Sequence, residues 1–351
     1  MKLYLLFCVL FSTVSFGAGK DPRPEMQVLA QEITALQKYL LSEAAFSAPE
    51  NSAAIQKSLK RITEHVKGLP ATFKGDAALS TNAALLASHM EETTRLFEGG
   101  KKPFARYMAQ SSLQMCISCH TREKSVDFAL PESDLGGLSP LEKANFFFAT
   151  RQFEKGRDIY AEVVASYPGS LNSTQLRHAL LSLAVFYARV KESPKEAADY
   201  FTALSKRTDL PAYLSSEVSA WAKDFANWAK EKPKSMDKAT ETQLLSAAKK
   251  ILASDDFSLI GDSDRKFHVR RLRASALLHR ALETGGTSPA KGEAILLLSQ
   301  IYDRIAYNLF FRFGEMYLKA CVREYKKTKT ARRCYDALEE IVSEGYTGSS
   351  G

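Results

Sequence analysis

The sequence predicts an all-α chain, with an N-terminal four-helix bundle followed by an α-solenoid of helix pairs. Apolar residues recur at three- and four-residue spacing almost throughout, the mark of amphipathic helices, and strand-like alternation is nearly absent. Clusters of Gly, Pro and Ser cut this pattern at helix-length intervals. Hydrophobic residues make up 45% of the 351, a globular balance, and the length suffices for two domains. Basic residues outnumber acidic ones only modestly, 48 to 40. With no binding motif beside that excess, nucleic acid is not an expected partner.

The first element is a signal peptide over 1–17. Met1 and Lys2 give a positive start, Leu3 to Phe16 form an apolar run, and Gly17, Ala18 and Gly19 are small. Ser15 and Gly17 fit the −3 and −1 positions, so cleavage is expected after Gly17. The run falls short of the ~20 apolar residues a spanning helix needs. Cys8 follows bulky Phe7 and lies too early for a lipoprotein cysteine. No later stretch is apolar enough to span a bilayer, so the expectation is an exported, periplasmic chain with no integral membrane segment.

Residues 18–128 read as the bundle. Asp21 can cap the first helix, with Pro22 and Pro24 in its first turn; Met26, Leu29, Ile33, Leu36 and Leu40 form its stripe, and Pro49 breaks it. The second helix runs from Glu50 to Lys67, with Ile55, Leu59, Ile62 and Val66 inward, and ends at Gly68. The third spans Asp76 to Glu98 and stops at Gly99 and Gly100. Pro103 opens the fourth. Short connections favour up-down packing.

Near the far end of the fourth helix stands Cys116-Ile117-Ser118-Cys119-His120. C-x-x-C-H is the attachment signature of haem c: the thiols add to the haem vinyl groups, and the His ligates the iron from one side. On a helix, positions 116, 119 and 120 share a face, so two sulfurs and an imidazole can meet one flat macrocycle. A structural zinc site is the competing reading, but zinc wants four ligands in close pairs. A thioredoxin-like C-x-x-C wants a βαβ setting. One covalent haem c is therefore expected.

Four helices with C-x-x-C-H late in the last resemble the class II c-type cytochromes, the cytochrome c prime group, over about 105 residues. The resemblance implies a haem inside the bundle with His120 as proximal ligand. The family commonly carries a basic residue four positions after that His, where Lys124 stands; Lys124 or nearby Arg122 could pair with a propionate or be ordinary solvated cations. In Met-ligated members the distal Met lies early in the first helix, where Met26 stands. A Met at helical spacing also fills cores. Met90, His89 and His65 are the other candidates for the sixth position, and an open, five-coordinate iron is the alternative.

Residues 129–140, rich in Pro, Gly and Ser, read as a linker. Residues 141–343 read as helix pairs. The stretch from Ala144 through Phe146, Phe147, Phe148, Phe153 and Tyr160 to Pro168 resembles a tetratricopeptide repeat. A looser copy runs from His178 to Pro211, an interval of 43 between the closing prolines, against about 34 in regular repeats. Further pairs are expected over 212–256 and 291–325, then a last helix over 329–343 and a flexible tail at 344–351. Trp221 and Trp228 fall on one stripe, as core or as a partner-binding pair.

With Cys8 removed and Cys116 and Cys119 holding haem, Cys321 and Cys334 remain. An even pair in an exported chain reads as a disulfide. Both lie six to seven residues from the turn at Lys327 and Thr328, as needed to face each other across a hairpin. The basic run Arg323, Lys326, Lys327, Lys329, Arg332 and Arg333 is a solvated turn or a patch steering an acidic partner.

The expected function is one-electron transfer by a monohaem cytochrome whose repeat domain docks a redox partner protein. In this reading 18–128 suffices for the haem and 141–343 for docking. The rivals are a five-coordinate gas-binding or sensing protein and a haem-containing scaffold or assembly protein. An enzyme is not expected: a peroxidase would want a second haem or a distal acid–base pair, for which only His89 and Arg95 could be imagined.

Overall fold

Helical periodicity becomes helix throughout the computed structural model. It describes residues 22–40, 43–73, 77–120, 135, 138–169, 171–231, 236, 238–255, 257, 262–283, 288–305 and 313–346, with the backbone alone at 77, 78, 81, 85, 113, 114, 117–120, 262, 263, 313, 316, 342 and 344–346. Among the described residues all regular structure is helical. The expected signal peptide lies outside them.

Four long helices build the N-terminal part: α1 (Arg23–Leu40), then, after the short α2 (Glu43–Ser47) and a 3-10 turn at Pro49–Asn51, α3 (Ser52–Thr72), α4 (Ala77–Glu98) and α5 (Lys102–His120). Each neighbour runs opposite to the last. Glu25 and Glu32 of α1 meet His65 and Arg61 of α3. Thr63 and Lys67 meet Thr94 and Glu91 of α4. His89 of α4 bonds the Met108 carbonyl of α5, and Arg106 and Gln110 of α5 donate to the Leu40 carbonyl of α1. Leu29, Leu36, Ile55, Leu59, Ile62, Val66, Met90 and Phe97 fill the middle, with Phe46 edge-on to Phe97 at 5.3 Å. Burying each such side chain stabilises by ~1.5–3 kcal/mol. The exposed pairs, such as Lys60 with Glu98, add at most about 1 kcal/mol each, so apolar stripes set the register.

Helix boundaries follow local chemistry with one exception. Gly100 takes φ 76°, Gly100 N–H donates to Phe97 and Lys101 N–H to Leu96: α4 ends in the double bond of a Schellman cap. Gly68, expected to end α3, does not. The helix continues through Pro70 to Thr72 because Leu69, 1% exposed, belongs to the core. Its burial offsets the bond that Pro70 cannot donate.

The C-terminal part begins with a hairpin of α6 (Pro140–Ala149) and α7 (Phe153–Ala165). Ser139 and Glu142 form a capping box that opens α6. A Cβ at Gly156 would stand 2.4 Å from the Phe148 ring, so only glycine lets these helices approach. α8 (Ser173–Val185) winds into a π-turn at Phe186–Val190, and α9 (Pro194–Ser205) packs along α10 (Ala212–Ala229). α11 (Glu241–Leu252), the single turn α12 (Asp262–Arg265), α13 (His268–Leu282), α14 (Pro289–Ile305), α15 (Phe313–Glu324) and α16 (Lys329–Tyr346) follow.

Two expectations need correction here. Residues 212–256 do not fold back as a pair: α10 lies against α9 and α13, while α11 lies against α13 and α14. The helix α13, whose arginines and histidines obscured its stripe, supplies the surface that α11 needs. In the expected linker 129–140, Leu135 and Leu138 are buried in a cluster with Phe146 and Phe147, against which Ile33 of α1 packs, while 129–134, 136 and 137 lie outside the described residues. The last helix extends to Tyr346, into the expected tail, because Gly345 forms no left-handed cap.

The two parts touch along α5 with α6, and along α4 with α13 and α15. Cys321 and Cys334 form the expected disulfide, joining α15 to α16 with Cα atoms 6.1 Å apart. No helix among the described residues is long and apolar enough to cross a membrane.

Candidate haem-attachment site

α5 carries the motif on its last turns. Ala105, Ala109, Ser112 and Cys116 follow at spacings of four, three and four, so they form one stripe of the helix. Ala105 and Ala109 sit in the core between the first four helices. Farther along, the surroundings change. Met115, 3% exposed, belongs to the C-terminal core, and part-buried Cys116 packs against that same cluster. Leu86 of α4 touches both cores. The backbone stays helical through His120, so positions 119 and 120 continue the face begun by Cys116. Two thiols and an imidazole on one helix face are the donor set that covalent haem requires, and these residues fit it. The side chains of Cys119 and His120 lie outside the described residues, as do Arg122 and Lys124.

The antiparallel order puts the start of α1, the end of α3 and the start of α4 at the motif's end of the molecule. Met26 is there, part-buried against the first core. Beside it the Glu25 carboxylate meets His65 Nδ1 at 2.5 Å. Met26 and Cys116 thus share an end but pack against different cores. The other candidates fall elsewhere. Met90 is 1% exposed in the first core. His89 donates from Nε2 to the Met108 carbonyl at 2.7 Å, with Ser111 Oγ at 3.1 Å, and burial lowers its pKa. Arg95 is exposed and holds Glu92, two turns beyond His89 and away from the motif.

A second polar constellation had no counterpart in the sequence reading. The Arg271 side chain is fully buried, its guanidinium donating to Asp255 at 2.7 and 2.8 Å and to Asp264 at 2.7 Å. Beside it, Arg177 donates to nearly buried Glu217 at 2.8 Å. His268 and Trp221 stack in the wall of the same small cavity, of about 10 Å³. That is room for about one water. His268 is held neutral, its pKa pushed down to about 3 by burial and then by the charges of Arg271, Arg265 and Arg177. The signal was the unusual density of basic residues in 268–273, whose partners lie on other elements.

The aromatic candidates resolve as packing. Trp221 is 1% exposed and donates from Nε1 to the Arg265 carbonyl, while Trp228 lies under Arg273 at 4.6 Å. Phe146, Phe147 and Phe148 are buried. In the basic run, Arg332 holds Asp336 and Arg333 holds Glu293, while Lys326, Lys327 and Lys329 are exposed. No protein-family model, curated protein or solved structure matches this chain.

Proposed function

We propose that this chain is an exported, periplasmic monohaem c-type cytochrome that carries single electrons and docks a redox partner through its C-terminal helices. The observation that carries the reading is Cys116-x-x-Cys119-His120 on the last turns of α5, with Cys116 part-buried against the C-terminal core. In this reading α1, α3, α4 and α5 are a cytochrome c prime-like bundle, and α6 to α16 are a tetratricopeptide-like solenoid. The α6–α7 hairpin, closed over Gly156, supports the second part.

Cys116 and Cys119 would hold the haem by thioethers, and His120 would ligate its iron. Arg122 or Lys124 would pair with a propionate, and Met26 would take the opposite axial position. Bound there, the haem supplies reversible one-electron iron chemistry, with a Met/His pair raising the potential. The surrounding apolar side chains would exclude water, and covalent attachment would hold the group against loss.

The test is expression with a haem-c maturation system, followed by acid–acetone extraction and intact mass. The expected result is one haem retained per chain and a mass equal to the processed protein plus one haem. Extractable haem, or zinc in stoichiometric amount, would overturn the reading.

A further inference from the structure

The family resemblance places the haem inside the four-helix bundle, but the packing around the motif points to a different enclosure. We infer that the haem is bound in the seam between the two helical parts, so that the C-terminal helices form part of its pocket. This rests on the haem reading above.

The stripe of α5 that carries Cys116 changes partners along its length. Ala105 and Ala109 face the first core. Met115 is instead counted with Phe148, Leu180 and Tyr317 in the C-terminal core, and Cys116 packs against that core. The bundle interior near this end is already filled by Leu29, Val66 and Leu69, none more than 5% exposed. Placing a macrocycle there would require a well-packed core to rearrange, which is costly. The seam differs. It is where α6 lies on α5 and where α13 and α15 lie on α4, and Leu86 of α4 touches both cores. A flat apolar group tethered at Cys116 would part helices that belong to different cores and leave the middle of each in place. It then faces apolar side chains on both sides and is shielded from water, as a haem needs. The C-terminal helices would therefore control solvent access and local dielectric at the iron, which set its potential.

Hydrogen exchange on the full chain tests this. The haem-loaded wild type is compared with the doubly substituted Cys116→Ala, Cys119→Ala chain. Haem should slow exchange by about tenfold or more in peptides of α6, α13 and α15 as well as α4 and α5. Slowing confined to α1–α5 would overturn the seam and leave the cytochrome reading standing. A wild-type chain whose intact mass shows no haem would overturn both. Should the double variant fail to fold, a urea titration of the loaded wild type decides. Trp221 and Trp228, the chain's two tryptophans, both lie in α10. A shared pocket requires the tryptophan fluorescence and the haem absorbance to change at the same urea concentration. A native haem band persisting after the tryptophan transition would overturn the proposal.

Discussion

His268 shows how one buried residue couples stability to pH. Its ordinary pKa near 6.5 falls to about 3 in the fold. Between those values the unfolded chain holds a proton that the native chain does not. Native stability therefore falls as pH drops through this window, by at most ~1.4 kcal/mol per unit from this group. His268→Gln should flatten the profile relative to wild type. Urea midpoints at neutral pH and near the middle of the window measure this, and parallel losses in both proteins would refute it. Met26 belongs to the same scale. A haem inside the bundle would put Met26 opposite His120, and Met26→Ala should then turn it high-spin and open it to CO; a haem in the seam leaves Met26 as packing of the first core, and the spectrum should stay unchanged.

Two contacts between elements make quantitative predictions. An Ala at Gly156 would drive Cβ into Phe148, with the Ala144 carbonyl 3.1 Å away on the same helix. Forcing α6 and α7 apart should cost about 1–3 kcal/mol, read as a lowered denaturation midpoint. A gain in stability would mean that the hairpin adapts freely. The Cys321–Cys334 bond spans 13 residues, and closing a loop of that size stabilises by ~3 kcal/mol in the chain-entropy account. Reduction should therefore loosen α15 and α16 first, seen as hydrogen exchange that speeds up there while α1, α3 and α5 keep theirs. Exchange rising equally in every helix would show that the bond supports the whole molecule.

Across the whole molecule, charge is unevenly placed. Lys326, Lys327 and Lys329 crown the α15–α16 turn, with Lys327 in a left-handed conformation at φ 64°. An acidic redox partner should associate faster at low ionic strength, and replacing these lysines by Gln should remove most of that salt dependence. Stopped-flow association rates across a salt series check it; equal slopes would move docking to another face. The seam also changes what a fragment can do. Met115 and Cys116 lean on the C-terminal core, so with the haem in the seam a fragment ending after α5 should leave it open to water, read as a spectrum and potential that differ from those of the full chain.

The sequence by itself determined the helices, because their stripes and stops are local: Gly99-Gly100 end α4, Ser139 and Glu142 open α6, and the cysteine count pairs Cys321 with Cys334. It also carried the C-x-x-C-H pattern, since three residues on one helix face need only spacing. Tertiary structure decided what neighbours decide. α13 is rich in Arg and His, yet Arg271, His268 and His279 are all buried. For Arg271 this is affordable only because Asp255 and Asp264, on other elements, supply its counter-charges. Pro70 stays helical because Leu69 reaches a core shared with α1, α2, α4 and α5. Cys116 turns to the C-terminal core for the same reason: a local pattern says which residues share a face, and only the packed chain says what that face meets.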